Sequence, residues 1–150
     1  MATKQGNKVW TDEEREAMQA SARERKVAAK RSPEEERAAG LQDLQDSLDK
    51  LSGDDRAMAE RIHVIVTAAA PALAPKTYYG MPAYARAGKD GKVICFFQPK
   101  SKFKVRYSTL GFQPDASLDD GEMWATSFAV IKLTSAVEAR IVELVTKAAG

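Results

Sequence analysis

The apolar positions along the chain change their spacing near residue 75, and that change divides the sequence into a helical part and a strand-bearing part. Leu41, Leu44, Leu48 and Leu51 recur at spacings of three and four, as do Met58, Ile62, Ile65 and Ala69, with Val66 four residues after Ile62. Both sets form one stripe on a helix. Ser32-Pro33-Glu34-Glu35 marks the start of the first of these helices as a capping box with proline at the first helical position. Gly53 is expected to end that helix in the left-handed conformation, Asp54 or Asp55 to cap the next one, and Pro71 to stop it. An earlier box, Thr11-Asp12-Glu13-Glu14, opens a helix running to about Arg31, whose thin apolar face is Met18, Ala22 and Val27.

Downstream the pattern becomes that of strands. Lys76 to Tyr84 reads as a strand bent or bulged at Gly80 and Pro82. Lys89-Asp90-Gly91-Lys92 is a hairpin turn, and Val93 to Phe97 is apolar on both faces, as in a central strand. Lys102-Phe103-Lys104-Val105-Arg106-Tyr107 alternates strictly, which predicts a strand with Phe103, Val105 and Tyr107 inward and Lys102, Lys104 and Arg106 on the other face. Gly111 to Gly121 reads as a loop, and a further strand is expected within Met123 to Leu133. Ser135-Ala136-Val137-Glu138 reads as a third capping box, opening a helix with Val137, Ile141, Leu144, Val145 and Ala148 on one side. The expected fold class is α+β, an antiparallel sheet packed against helices. Residues 1–52 are expected to form a charged helical N-terminal arm, and residues 53–150 the α+β domain that holds the core.

Composition narrows the function classes. No apolar run reaches the ~20 residues needed to span a bilayer, and the opening residues lack the apolar segment of a secretory signal, so a cytoplasmic protein without a membrane partner is expected. Cys95 is the single cysteine and lies within the apolar run, where it acts as a small hydrophobe. The net charge of +2 combines a mildly acidic first part with a mildly basic second part. That excess is weaker and less clustered than in a dedicated nucleic-acid-binding domain, and nucleic acid is not an expected partner.

The chain lacks a nucleophile elbow, a phosphate-binding glycine loop and a His-Glu-x-x-His motif, so no catalytic residues and no enzyme activity are expected. The only histidine, His63, borders the apolar face of its helix and reads as a boundary residue. Asp115, Asp119, Asp120 and Glu122 in the loop, with Asp54 and Asp55 at a helix start, are the candidate oxygen ligands for a hard cation. Their spacing does not match a calcium loop, and they read as a solvated acidic loop and as caps. Lys102, Lys104 and Arg106 are the candidate binding residues. A row of cations suits an anionic small molecule or an acidic partner, or else serves to keep an edge strand from pairing.

The run Pro75-Lys76-Thr77-Tyr78-Tyr79-Gly80-Met81-Pro82-Ala83-Tyr84 resembles the signature of the YdhG-like family of bacterial domains of unknown function, over about Asp54 to Ala148. One member of that family is described as a frataxin-like iron chaperone. The resemblance thus implies a frataxin-like sheet layer and iron handling, with iron expected on no other ground. Many relatives carry a Lys-His pair after the central strand, where this chain has Lys100-Ser101-Lys102. The expectation is a non-enzymatic binding or carrier domain, iron-chaperone-like by resemblance; the alternative is a structural or partner-interaction module using the basic strand.

Overall fold

The computed structural model describes residues 10–28, 32–88 and 90–150. The expected helix end at Arg31, the side chain of Val27 and Lys89 of the expected hairpin turn lie outside what is described. Among the described residues four helices, α1 (Asp12–Ala28), α2 (Pro33–Asp49), α3 (Gly53–Ala69) and α4 (Ser135–Ala149), accompany five strands: β1 (Ala74–Tyr78), β2 (Met81–Ala85), β3 (Val93–Gln98), β4 (Ser108–Phe112) and β5 (Ser127–Val130). The strands form one antiparallel sheet in the order β1-β2-β3-β4-β5. The fold is α+β, as the change of apolar spacing implies.

The core lies between the sheet and the helices. Tyr84, Cys95, Phe97, Leu110, Phe112 and Val130 from the strands meet Ala59, Ile62, Ile65 and Val66 of α3 and Ile141, Val145 and Ala148 of α4. Cys95 is fully buried, and burial pushes its thiol up to about 12, which keeps it protonated and unreactive. Leu44 and Leu48 of α2 belong to the same cluster. The expectation that the core lies wholly downstream of residue 52 is therefore corrected: α2 supplies part of it. The leucine stripe was the signal, since four leucines on one face need something to cover them.

Gly40 sets how closely α2 approaches the sheet. A Cβ at this position would stand 2.3 Å from the Pro75 carbonyl oxygen, so only glycine lets the helix lie against β1 at this distance. Arg37 fastens the same helix by donating to the carbonyls of Pro71 and Leu73, at 3.1 and 3.3 Å.

Three local expectations change. Lys76 to Tyr84 is not one bent strand: Tyr79 (φ 52°) and Gly80 (φ 79°) form a two-residue turn between β1 and β2. Two successive positive φ values match the twist of a tight hairpin. Pro82 fits because β2 pairs with β3 only from Ala83 onward, so its missing amide falls outside that ladder. The end of α2 also differs, with Lys50 as its C-cap, while Gly53 (φ 55°) opens α3. Ser52 takes the N-cap place of α3, and neither aspartate caps it. Finally, α4 is capped by Thr134, whose hydroxyl accepts from the Val137 amide at 3.2 Å, so the third box is displaced by one residue. The other two boxes form as read: Thr11 with Glu14, and Ser32 with Glu35.

Candidate functional site

The largest departure from the sequence reading falls on the basic segment. Residues 100–107 do not form a strand. Pro99 ends the extended chain, Lys100–Lys102 make a single 3-10 turn, and Lys104 takes a left-handed backbone (φ 56°) before β4 begins at Ser108. The turn is closed by the Lys102 amide on the Pro99 carbonyl and the Val105 amide on the Lys100 carbonyl, both at 3.1 Å. Val105 is 45% exposed, not buried, and Phe103 and Tyr107 are only half-buried. The alternation was genuine as a pattern, but its apolar members have no core to face. That place belongs to Leu110 and Phe112 of β4, separated by Gly111, in a strand too short and too interrupted to stand out.

This connection between β3 and β4 is organised by one buried acid. Asp55, on the first turn of α3, is 6% exposed. Its carboxylate accepts from the Ser101 amide and from Lys100 Nζ, each at 3.3 Å. Burial alone would raise this carboxyl, yet the hydrogen bonds from Ser101 and Lys100, with the Lys100 charge, outweigh it and hold the group below the usual carboxylate range. The Lys100 amide in turn donates to the Ser108 hydroxyl at 3.1 Å. One carboxylate thereby fixes the loop that presents Lys102, Lys104 and Arg106.

Helix α1 lies over this loop with its acidic residues. Lys104 Nζ is 3.2 Å from Glu13. The Glu13 carboxyl is held below its ordinary value first by its own backbone amide at the helix start, then by the hydrogen bond and charge of Lys104. Lys102 is half-buried, and burial pushes its ammonium below the ordinary value; Glu16 and Glu24 oppose that shift and Lys50 adds to it. Further along α1, the Thr77 hydroxyl donates to Glu24, whose carboxyl burial raises. The face of α1 turned to the body is thus Ala17, Ala20 and Glu24, while Met18, expected on the packed face, is 44% exposed. Arg106 stacks over Tyr107 at 5.2 Å from the ring centre.

Of the residues singled out as binding candidates, Lys102, Lys104 and Arg106 share this one loop, though not as alternate positions of a strand. The acidic candidates are divided between elements. Asp115, Asp119, Asp120 and Glu122 are exposed in the β4–β5 connection, Asp54 is exposed at α3, and Asp55 is committed to Lys100. Among the described residues, no group of three or more His, Cys, Asp and Glu side chains is placed to hold a metal ion. His63 and Tyr84 meet at 2.9 Å beneath the sheet, the phenol satisfying the ring nitrogen, with His63 lowered by burial and Tyr84 raised by it.

Sequence reasoning missed Asp55 as the organising acid, and Glu13, Glu16 and Glu24 as the groups facing the basic loop. The available signal was charge complementarity: an acidic first helix and a basic segment at 100–106 within one small chain. A cleft of about 580 Å³ between α2, β1 and the β2–β3 connection carries charges of both signs, among them Glu36, Asp43, Lys76 and Arg86. Arg86 is already spent there on the carbonyls of Ala149 and Asp115, at 3.0 and 3.2 Å. No helix among the described residues is long and apolar enough to cross a membrane. The chain matches no family model, no curated protein and no solved structure.

Proposed function

We propose that this protein is a non-enzymatic binding module that takes carboxylate-rich partner segments on the β3–β4 connection, with Lys102, Lys104 and Arg106 as the contacting residues. The observation that supports this reading is that the loop already holds two carboxylates of its own chain, Asp55 beneath it and Glu13 above it. Lysine and arginine side chains offer only donors and positive charge, so the groups that complement them are anionic. Half-burial of Lys102 strengthens its field, because a partly desolvated charge is less screened than one in bulk water. The iron-carrier role implied by the family resemblance calls for converging oxygen or nitrogen ligands, and among the described residues none converge.

Titration of the full chain with a glutamate-rich peptide, with inorganic phosphate and with ferrous iron tests the reading. The expected result is salt-sensitive binding of the peptide that is lost in Lys102→Glu/Lys104→Glu while the fold is retained. Peptide binding unchanged in that variant, or iron binding in its place, overturns it.

A further inference from the structure

We infer that helix α1 is an internal occupant of the β3–β4 connection, a carboxylate-bearing segment that closes the site in the free chain and is displaced by the acidic segment of a partner. This rests on the reading of that loop as a carboxylate-binding site and adds how access to it is regulated. Glu13, Ala17, Ala20 and Glu24 recur at spacings of four, three and four, with Glu16 three residues after Glu13. One stripe of α1 therefore carries three carboxylates around two alanines. Lys104 Nζ meets Glu13 at 3.2 Å, and the charges of Glu16 and Glu24 act on Lys102. A Cβ built on Gly80 would stand 3.6 Å from Lys102 Nζ and 3.7 Å from the Ala20 methyl, so the ammonium and the helix meet over the β1–β2 turn. Lys102 is half-buried there, while Arg106 is exposed and stays open to an arriving carboxylate. To two of the three cations, α1 thus presents the chemistry that the loop would take from a partner.

The helix is attached in a way that permits exchange. Among the described side chains of α1, Ala17 alone is buried, and it does not belong to the core cluster. The other three helices each place residues in that cluster, among them Leu44, Ile62 and Ile141. What fastens α1 is the contact of its alanines, the Thr77 hydroxyl on Glu24, and the ion pair of Glu13 with Lys104. That lysine is 78% exposed, so salt screens the pair. Lifting α1 uncovers Lys102 without opening the core. An internal occupant lowers the apparent affinity for a partner by the fraction of time that the site is open.

Two variants of the full chain, titrated with a glutamate-rich peptide, test this. Ala17→Gln/Ala20→Gln sets larger neutral side chains where α1 meets the body, and it keeps every charge and a good helix former. The released chain is expected to bind the peptide about fivefold to tenfold more tightly than wild type, as for a site open about a fifth to a tenth of the time. Ala20→Cys/Gly80→Cys does the reverse. The 3.7 Å between these Cβ positions suits a disulfide, and the fully buried Cys95 does not compete. The oxidised chain is expected to bind more weakly than wild type, and reduction of the same chain to restore the affinity. Should either variant fail to fold, the other decides. A released chain that binds no more tightly than wild type, or a locked chain that binds as well, overturns the proposal. If wild type then still binds the peptide and Lys102→Glu/Lys104→Glu does not, the binding site stands without its closure. A released chain that folds and binds no peptide overturns the site and the closure together.

Discussion

Glu138 grips Arg61 through both carboxylate oxygens, at 2.8 and 2.9 Å, joining α4 to α3 across 77 positions of sequence. The contact exists because Thr134, not Ser135, caps α4: Glu138 is then not needed to reach back to the cap, and its side chain is free to meet the guanidinium. The hydrogen bond from Arg61 holds Glu138 below its ordinary pKa, and Glu138 raises Arg61. Arg61 is exposed, so solvent and salt screen the pair. A double-mutant cycle on Arg61→Ala and Glu138→Ala is expected to show a small coupling at low salt that vanishes at high salt. A large, salt-independent coupling would mean that the pair is shielded from water.

Gly40→Ala separates two opposed effects. Helix propensity alone favours alanine by about 1 kcal/mol. The clash with the Pro75 carbonyl opposes it, and overpacking of this kind costs about 1–3 kcal/mol or more. The expected outcome in urea denaturation is net destabilisation, since a backbone oxygen in a paired strand cannot swing away as a side chain can.

The helical half of the fold and the order of its elements were legible in the sequence, because leucine and isoleucine stripes need a partner surface. Ile62, Val66, Ile141 and Val145 are buried as their spacing implies. The segment at 102–107 was misread because period-two alternation reports only what a strand would do there. It does not report that Pro99 and the left-handed Lys104 turn the chain first. Helix boundaries at Gly53 and Ser135 slipped because several adjacent residues could each serve as cap. The pairing of α1 with the basic loop was out of reach of any local pattern, since it joins residues some ninety positions apart through their charge alone.

The corrected loop reverses one expectation on stability. Val105→Asp would cost several kcal/mol if Val105 faced the core. At 45% exposure it is expected to cost about 0.5 kcal/mol or less. Phe97→Ala, at a fully buried position in β3, is expected to cost about 3–5 kcal/mol. Thermal or chemical denaturation of the two variants side by side checks the contrast.

His63 gives the protein a pH dependence near neutrality. Burial lowers its pKa from 6.5, so the folded protein favours the neutral ring, which pairs through Nδ1 with the Tyr84 hydroxyl, while the unfolded chain takes up a proton more readily. Its contribution is full above about 6.5 and is lost as pH falls from there through the lower folded value. The denaturation midpoint is therefore expected to drop from pH 7.5 to 5.5, and His63→Gln, which keeps a neutral hydrogen-bonding partner for Tyr84, to flatten that drop. An unchanged slope in the variant would place its origin elsewhere.

Asp55 links the stability of the protein to its proposed binding loop. Replacing it with alanine leaves the Ser101 amide and the Lys100 ammonium without their common acceptor. Lys100 is exposed enough to hydrate, so most of the loss falls on the amide and on the packing of the turn, about 1–3 kcal/mol. Asp55→Asn keeps a carbonyl oxygen for the amide and is expected to cost less. It also removes the negative charge beneath the loop, leaving Lys100 unneutralised beside Lys102 and Lys104. Affinity for a glutamate-rich peptide is then expected to rise in Asp55→Asn and to fall in Lys102→Glu/Lys104→Glu. Because the folded pKa of Asp55 lies below 3.8, its own contribution is present above that value and is lost only as pH falls through the lower folded pKa, well clear of the His63 window. Peptide titrations at neutral pH therefore read the loop charge alone, and an Asp55→Asn chain that binds the peptide no better than wild type would mean that Lys100 takes no part in the site.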